Sequence, residues 1–156
     1  MFAILEELKI EAIVLFFSML PLVELRGAIP LGISLGLSPI QSGVISILGN
    51  ISVVFLLLHL LNPVMALFEK TKLFRTTIGR LKERSMKKSK VIKKYSIFGL
   101  FLFVCIPLPT TGAWTGALIS TILKLDPRKA FVSMGLGLVV AGVITLTISY
   151  GVFSII

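Results

Sequence analysis

Two charged residues, Glu24 and Arg26, lie in a part of the chain that is otherwise almost wholly apolar. Within residues 12–68 the only other titratable side chain is that of His59. A charge is costly inside a lipid bilayer and is kept mainly where it faces protein or water, so the pair is a candidate functional site. The residues around it that interrupt helices are Pro21, Gly27, Pro30 and Gly32. They argue against a single smooth spanning helix at this point.

The composition excludes an ordinary soluble domain. The 156 residues have a mean hydropathy of +1.02, and 56% of them are hydrophobic, which predicts one membrane domain that crosses the bilayer more than once. One histidine and one cysteine, His59 and Cys105, are too few for a metal site, and no nucleophile or cofactor loop is apparent. We therefore expect no enzyme and no bound cofactor, although proton coupling is compatible with the sequence.

The net charge of +9 is concentrated in residues 69–94, which hold eleven basic and two acidic residues. A basic run between two apolar halves follows the positive-inside rule, and we favour this interpretation over nucleic-acid binding. Apolar residues recur at helical spacing, at Leu67, Phe74, Ile78 and Leu81. The segment is therefore predicted to be an amphipathic helix on the anionic lipids of the inner leaflet.

The apolar stretches of the chain fall into two lengths. A helix needs about 20 apolar residues to cross a bilayer, and residues 40–61 and 130–153 meet that length. Two shorter stretches, residues 12–20 and 97–106, each stop at a proline. Each is followed by a turn with proline and glycine and by a second short stretch, residues 28–37 or 113–123. The order short, turn, short, long therefore occurs twice.

This repetition divides the chain into a first repeat, residues 1–62, a basic linker, residues 63–94, and a second repeat, residues 95–156. Paired interrupted segments in two halves are typical of transporters with internal repeats. Both second stretches carry small residues four apart, which let helices approach closely in lipid. These are Ala28, Gly32 and Gly36 in one and Gly112, Gly116 and Ser120 in the other. They are candidates for packing within or between chains.

The charges predict how the repeats are oriented. If each repeat is a re-entrant helical hairpin plus one full transmembrane helix, the second repeat enters from the opposite face. The basic linker then shares a face with Lys124, Arg128 and Lys129, whereas Glu6, Glu7 and Glu11 lie on the other. We predict an all-α integral membrane protein of the cell membrane, with inverted repeats, a cytosolic linker and both termini outside. Ordinary spanning hairpin arms are the alternative, but at about ten residues they fall well short of a span.

Two motifs resemble the small multidrug export protein family. The first is Pro-Leu-Val-Glu-Leu-Arg-Gly-Ala-Ile-Pro, residues 21–30, and the second is Ile-Pro-Leu-Pro-Thr-Thr-Gly-Ala-Trp-Thr-Gly, residues 106–116. The resemblance extends over nearly the whole chain, and that family is similar in layout to the DedA membrane proteins. It implies paired re-entrant hairpins that meet at mid-membrane. Through DedA it also implies a polyprenyl-phosphate or phospholipid substrate moved between leaflets, often with proton coupling.

The chain departs from the DedA pattern in its second hairpin. DedA proteins typically have arginines there, whereas this chain has Thr110, Thr111 and Trp114. Arg26 would then be the sole deep cation that could bind a phosphate.

Both broken turns are expected near mid-membrane, where helix ends offer N–H donors to an anion and carbonyls to a cation. The guanidinium of Arg26 forks towards phosphate or carboxylate oxygens. Glu24 would balance Arg26 at rest and take up a proton when substrate binds. For Asn50 a hydrogen bond between helices is the simpler role. The predicted substrate-binding residues are Glu24, Arg26, Gly27, Pro30, Asn50, Pro107, Pro109, Thr110, Thr111, Gly112 and Trp114.

We therefore predict a membrane transporter that moves an amphipathic or lipid-linked anion. One alternative is efflux of small drugs or cations, which needs Glu24, whereas anion transport depends first on Arg26. Another is a non-transporting membrane scaffold or scramblase-like organiser, in which the pair is a buried salt bridge that only holds the hairpin. Because two full spans are too few to enclose a path, we expect a homo-oligomer in contact with membrane lipids.

The predicted topology can be tested by cysteine labelling. Single cysteines at Ser85 and Glu7, in a Cys105→Ser background, should react with an impermeant thiol reagent from opposite sides of the membrane, because the linker is cytosolic and the termini are external. Labelling of both positions from the same side would rule out the inverted arrangement.

Overall fold

The computed structural model describes residues 2–68, 89–107 and 111–153, which form six helices and no strand. The helices are α1, Phe2–Met19; α2, Glu24–Ser34; α3, Pro39–Phe68; α4, Ser89–Cys105; α5, Ala113–Ile122; and α6, Pro127–Phe153. The all-α class agrees with the prediction. The amphipathic helix predicted from Phe74, Ile78 and Leu81 lies outside the described residues.

Two of the helices are long and apolar enough to cross a membrane. The qualifying stretches are Pro39–Leu61 of α3 and Pro127–Val152 of α6. They agree with the two full spans predicted from the sequence. Large apolar side chains of both helices, among them Phe55, Val132 and Leu136, are more than half exposed. Such a surface is suited to contact with lipid.

The two spans begin in the same way, with a polar cap followed by a proline. The hydroxyl of Ser38 accepts the N–H of Gln41 at 3.3 Å, and the carboxylate of Asp126 accepts the N–H of Arg128 at 2.9 Å. Serine and aspartate are strong N-caps, and a proline directly after the cap loses nothing, since its missing N–H would have no partner there.

The helices before the two breaks are longer than the apolar stretches that predicted them. α1 begins at Phe2 and α4 at Ser89, whereas the predicted arms are residues 12–20 and 97–106. These arms are therefore only the apolar ends of longer helices. Glutamate and lysine are good helix formers, so charged residues extend each helix beyond its apolar part.

The helices after the two breaks, α2 and α5, end in the same hydrogen-bond pattern. In each, the two residues after the C-cap residue donate their N–H groups to carbonyl oxygens in the last turn of the helix, at 3.0–3.1 Å. The residue that reverses the chain is left-handed in both, with φ +99° at Gly36 and +51° at Lys124. Gly36 is exposed, and a side chain there would meet no atom within 4 Å. Gly36 therefore does not pack against another helix of its own chain but caps α2, and its predicted packing between chains stays a prediction.

The helices pack within each half of the chain and then across the halves. α1, α2 and α3 contact one another, and so do α4, α5 and α6. Between the halves, α3 packs on α6, α3 on α5 and α2 on α6. If α2 is exchanged with α5 and α3 with α6, the same three contacts result, so the two halves contribute to the interface in equivalent ways. The shared core includes Leu25, Ile29, Val54, Val104, Met134 and Leu138.

The two long helices run antiparallel against each other. Gly43 of α3 lies against Leu146 of α6. Further along α3, the ring of Phe55 meets that of Phe131 edge to face, with centroids 6.0 Å apart. In the direction in which residue numbers rise along α3, they fall along α6.

One glycine in each span allows the helix before the break of the same half, α1 or α4, to approach closely. A Cβ at Gly49 would lie 3.1 Å from the carbonyl oxygen of Leu15 in α1, and a Cβ at Gly137 would lie 3.0 Å from that of Phe101 in α4. Backbone atoms cannot turn aside as a flexible side chain can. Neither glycine belongs to the stripes predicted from the sequence.

A pair of alanine substitutions in α6 tests this close approach. Gly137→Ala should lower the melting temperature in detergent, because overpacking costs about 1–3 kcal/mol. Gly135→Ala is the matched control, since a Cβ at Gly135 meets no atom within 4 Å. It should leave stability unchanged or raise it, because alanine favours helix over glycine by about 1 kcal/mol. Equal shifts for both variants would contradict the contact with Phe101.

Candidate functional site

The two breaks in the helices lie against each other. The first separates α1 from α2 at residues 20–23, and the second separates α4 from α5 at residues 106–112. Side chains near the start of α2 and of α5 reach across to the other break. The contacts join residues that are 80 to 95 positions apart in the chain.

Glu24 is the first residue of α2 and is only 7% exposed. Its φ of +49° is unusual for a residue other than glycine and turns the chain into α2. Its carboxylate accepts the backbone N–H groups of Trp114, at 3.4 Å, and of Ala113. These are the first residues of α5, so the carboxylate lies at the positive end of that helix.

Gly112 provides the space that the carboxylate of Glu24 occupies. A Cβ built on Gly112 would overlap both carboxylate oxygens of Glu24. The φ of −171° at Gly112 is extended and open to any residue. A glycine is therefore required here for its lack of a side chain and not for its backbone conformation.

Arg26 binds the end of α4. Its Nη2 atom donates to the carbonyl oxygen of Thr111, to the Thr111 hydroxyl at 3.2 Å and to the carbonyl oxygen of Ile106 at 3.3 Å. The Thr111 hydroxyl in turn donates to Ile106 at 2.8 Å. Because α4 ends at Cys105, the carbonyl of Ile106 lies at a helix end that has no further turn to supply its partner, whereas that of Thr111 belongs to the break itself.

Trp114 binds the end of α1 in a corresponding way. Its ring Nε1 donates to the carbonyl oxygen of Met19 at 3.1 Å, and Met19 is the last residue of α1. Each half thus supplies a side-chain donor, Arg26 or Trp114, to a carbonyl at the broken helix end of the other half.

The structure therefore brings together five of the predicted site residues: Glu24, Arg26, Thr111, Gly112 and Trp114. The hydrogen bonds of Glu24 and Arg26 go to different partners, while their opposite charges attract each other. The N-terminus of α5 thus meets the carboxyl group of Glu24, and Arg26 lies beside that group.

The remaining predicted residues have other positions. Gly27 packs against Val23, Pro30 lies half-buried inside α2, and Pro107 is half-buried just after α4. Asn50 is fully buried in α3, where its Nδ2 donates to the carbonyl oxygen of Ser46 at 3.5 Å and its Oδ1 has no hydrogen-bond partner among the described residues. Asn50 thus makes no hydrogen bond to the cluster. Pro109 and Thr110 lie outside the described residues.

The carbonyl groups of Met19 and Ile106 were not predicted from the sequence, although a signal for them exists. Met19 lies two residues before Pro21, and Ile106 directly precedes Pro107. The residue before a proline disfavours the helical conformation, so helices tend to end there. The carbonyls of the last turn then need partners from elsewhere.

Comparison with known proteins agrees with the motifs. The family model described as "Putative small multi-drug export protein" matches residues 24–144, which begin at Glu24, directly after the first break, and include the second break. No curated protein and no solved structure shows significant similarity to the chain. The family match covers well over half of the chain. The chain therefore belongs to the small multi-drug export protein family.

Proposed function

We propose that the chain is a proton-coupled transporter of an amphipathic or lipid-linked anion, of the polyprenyl-phosphate or phospholipid class. Membership of an export family supports membrane transport in general. The proposal of an anionic substrate rests on the position of the Glu24 carboxylate, at the N-terminus of α5 and beside Arg26. Helix N-termini and arginine are the groups with which proteins bind phosphate and carboxylate.

In this mechanism Glu24 is the resting occupant of the anion position. A partly buried helix N-terminus stabilises an anion by up to about 2 kcal/mol, which is small enough for one anion to replace another there. When Glu24 takes up a proton, it loses its charge and its attraction to α5 and Arg26. The substrate anion then binds the N–H groups of Trp114 and Ala113 and the guanidinium of Arg26.

The two halves act as inverted repeats, each a helical hairpin that re-enters at its break followed by one full span. Three features support this arrangement. The contacts between the halves stay the same when α2 is exchanged with α5 and α3 with α6, α2 and α5 end in the same type of C-cap, and α3 and α6 are antiparallel. Equivalent spans that run antiparallel belong to repeats of opposite orientation. Rocking of one repeat against the other would then open the site to each side in turn.

The proposed topology follows from the same arrangement. The basic linker, residues 63–94, faces the cytosol and both termini lie outside the cell membrane. A homo-oligomer would supply the walls that two full spans cannot provide alone.

A second candidate function is efflux of small cationic drugs with Glu24 as the cation site. Two observations favour it: the family description names multi-drug export, and Glu24 is the buried acidic residue of the described region. Against it, the carboxylate already accepts backbone N–H groups at a positive helix end, where a cation would be repelled.

Substitution of Arg26 separates the two candidates. Arg26→Ala should reduce transport of an anion by about tenfold or more, since a hydrogen bond to a charged group contributes about 1.5–3 kcal/mol. Arg26→Lys should restore transport only in part, because a point charge cannot reproduce the guanidinium fork. The assay is leaflet exchange of a fluorescent polyprenyl phosphate in liposomes, with the exposed Lys9→Ala as the matched control. Transport at the wild-type rate by Arg26→Ala would refute the anion site.

Substitution of Glu24 tests the proton coupling. Glu24→Gln should still bind the substrate, because the amide fills the same space, but transport should no longer depend on pH, because the amide cannot take up the coupled proton. Rates are measured in the same liposomes against internal and external pH. Glu6→Gln, an exposed change in α1, should keep the pH profile of the wild type. A Glu24→Gln profile identical to that of the wild type would show that the coupled proton binds elsewhere.

A further inference from the structure

We infer that the start of α6 carries a binding site for an anionic phospholipid, separate from the site at the helix breaks. A cavity of about 820 Å³ lies where α3, the end of α5 and the start of α6 meet. Its lining includes Lys124, Arg128, Asp126, His59, Phe55 and Phe131. Cationic and aromatic side chains thus share one cavity.

The cavity lies where both apolar spans have their ends, which is the depth expected for lipid headgroups. His59 is two residues from the end of the apolar span Pro39–Leu61, and Arg128 is one residue inside the start of the span Pro127–Val152. Basic residues and amphipathic rings are enriched at this boundary between hydrocarbon and water. It is also the end of α3 that leads into the basic residues 69–94.

The charges in the cavity favour an anion. The lining holds two basic residues, Lys124 and Arg128, both exposed, and one acid, Asp126, whose carboxylate accepts the N–H groups of Arg128 at 2.9 Å and Lys129 at 3.4 Å, so the bases outnumber the acid. The ring of His59 also lines the cavity, where its Nδ1 donates to the carbonyl oxygen of Phe55 at 2.8 Å. Basic pockets between transmembrane helices on the cytoplasmic side of a membrane bind lipid phosphates, and the proposed topology puts this cavity on that side.

The backbone at Lys124 gives an independent reason to assign a role to its side chain. Lys124 has a left-handed φ of +51°, a conformation that favours glycine. The corresponding position at the end of α2 is Gly36, with φ +99°. Strained residues that persist are commonly functional. A lysine in place of the less strained glycine therefore indicates that its charge is used.

Apolar surface for the acyl chains lies on both sides of Arg128. On one side, Phe55 and Phe131 line the first cavity. On the other, a groove of about 830 Å³ runs between α4 and α6 and is lined by Phe98 and Leu136. Arg128 and Val132 line both spaces. A phosphate at Arg128 would thus leave one acyl chain on each side of α6.

This site does not rest on the proposed transport mechanism. It lies at the C-terminal end of α5, whereas Glu24 binds the N-terminal end. The ten residues of α5 separate the two by about 15 Å at a rise of about 1.5 Å per residue. Loss of the lipid site therefore need not alter the anion position at Gly112.

A local fluorescence measurement tests the lipid site without interference from the basic linker. Bimane is attached at Val132→Cys in a Cys105→Ser background, in vesicles of phosphatidylcholine and phosphatidylglycerol. Brominated phosphatidylglycerol should quench the probe more strongly than brominated phosphatidylcholine. Bimane at Val143→Cys, exposed on the same helix outside both spaces, is the matched control and should show no preference. Equal quenching by the two lipids at position 132 would overturn the inference.

Two charge variants complete the test. Arg128→Gln and Lys124→Gly should each weaken the preference for phosphatidylglycerol about fivefold, as expected for one basic residue at a membrane surface. Lys9→Gln should leave it unchanged. Lys124→Gly should also melt at the same or a higher temperature, since glycine suits the left-handed turn, so lost binding cannot be attributed to unfolding. An unchanged preference in both charge variants, or full displacement of the lipid by inorganic phosphate, would refute a phospholipid site.

Discussion

A helix that ends in apolar surroundings leaves backbone N–H and carbonyl groups that water cannot satisfy, and the chain must supply their partners. This protein has two such breaks, and each receives partners from the other half. Arg26 binds the carbonyl of Ile106, Trp114 binds the carbonyl of Met19, and the carboxylate of Glu24 accepts the N–H groups that begin α5. The rest of the architecture depends on this exchange, because it fixes how the two halves meet.

Crossed partners also make the two halves interdependent. If one half moves relative to the other, Arg26 and Trp114 must leave the carbonyls that they bind, and these groups must find substrate, water or other protein groups instead. Such polar groups at the interface are a natural means of coupling a change of shape to the binding of an anion or a proton. A purely apolar contact between the breaks would hold the halves together without responding to either.

The two halves share a frame but differ in chemistry. A single constant shift in residue number relates Gly36 to Lys124 at the two C-caps and Gly49 to Gly137 at the two close approaches. The same shift relates Glu24 to Gly112. At the site, therefore, one half supplies the carboxylate and the other the empty space that receives it. The helix arrangement is common to both halves because both pack a broken helix pair against one long span. The residues differ at the site where the two halves contact each other.

The sequence by itself determined the helical class, the two full spans, the two breaks and the two charged residues beside the first break. These depend on local properties: the length of an apolar run, the effect of proline on a helix and the cost of a buried charge. Only the tertiary structure decided that Glu24 faces Gly112, that Gly36 caps a helix and that Asn50 makes no hydrogen bond to the cluster. The contact between Glu24 and Trp114 joins residues 90 positions apart, and such contacts follow from how whole helices pack and not from the residues next to them in the chain.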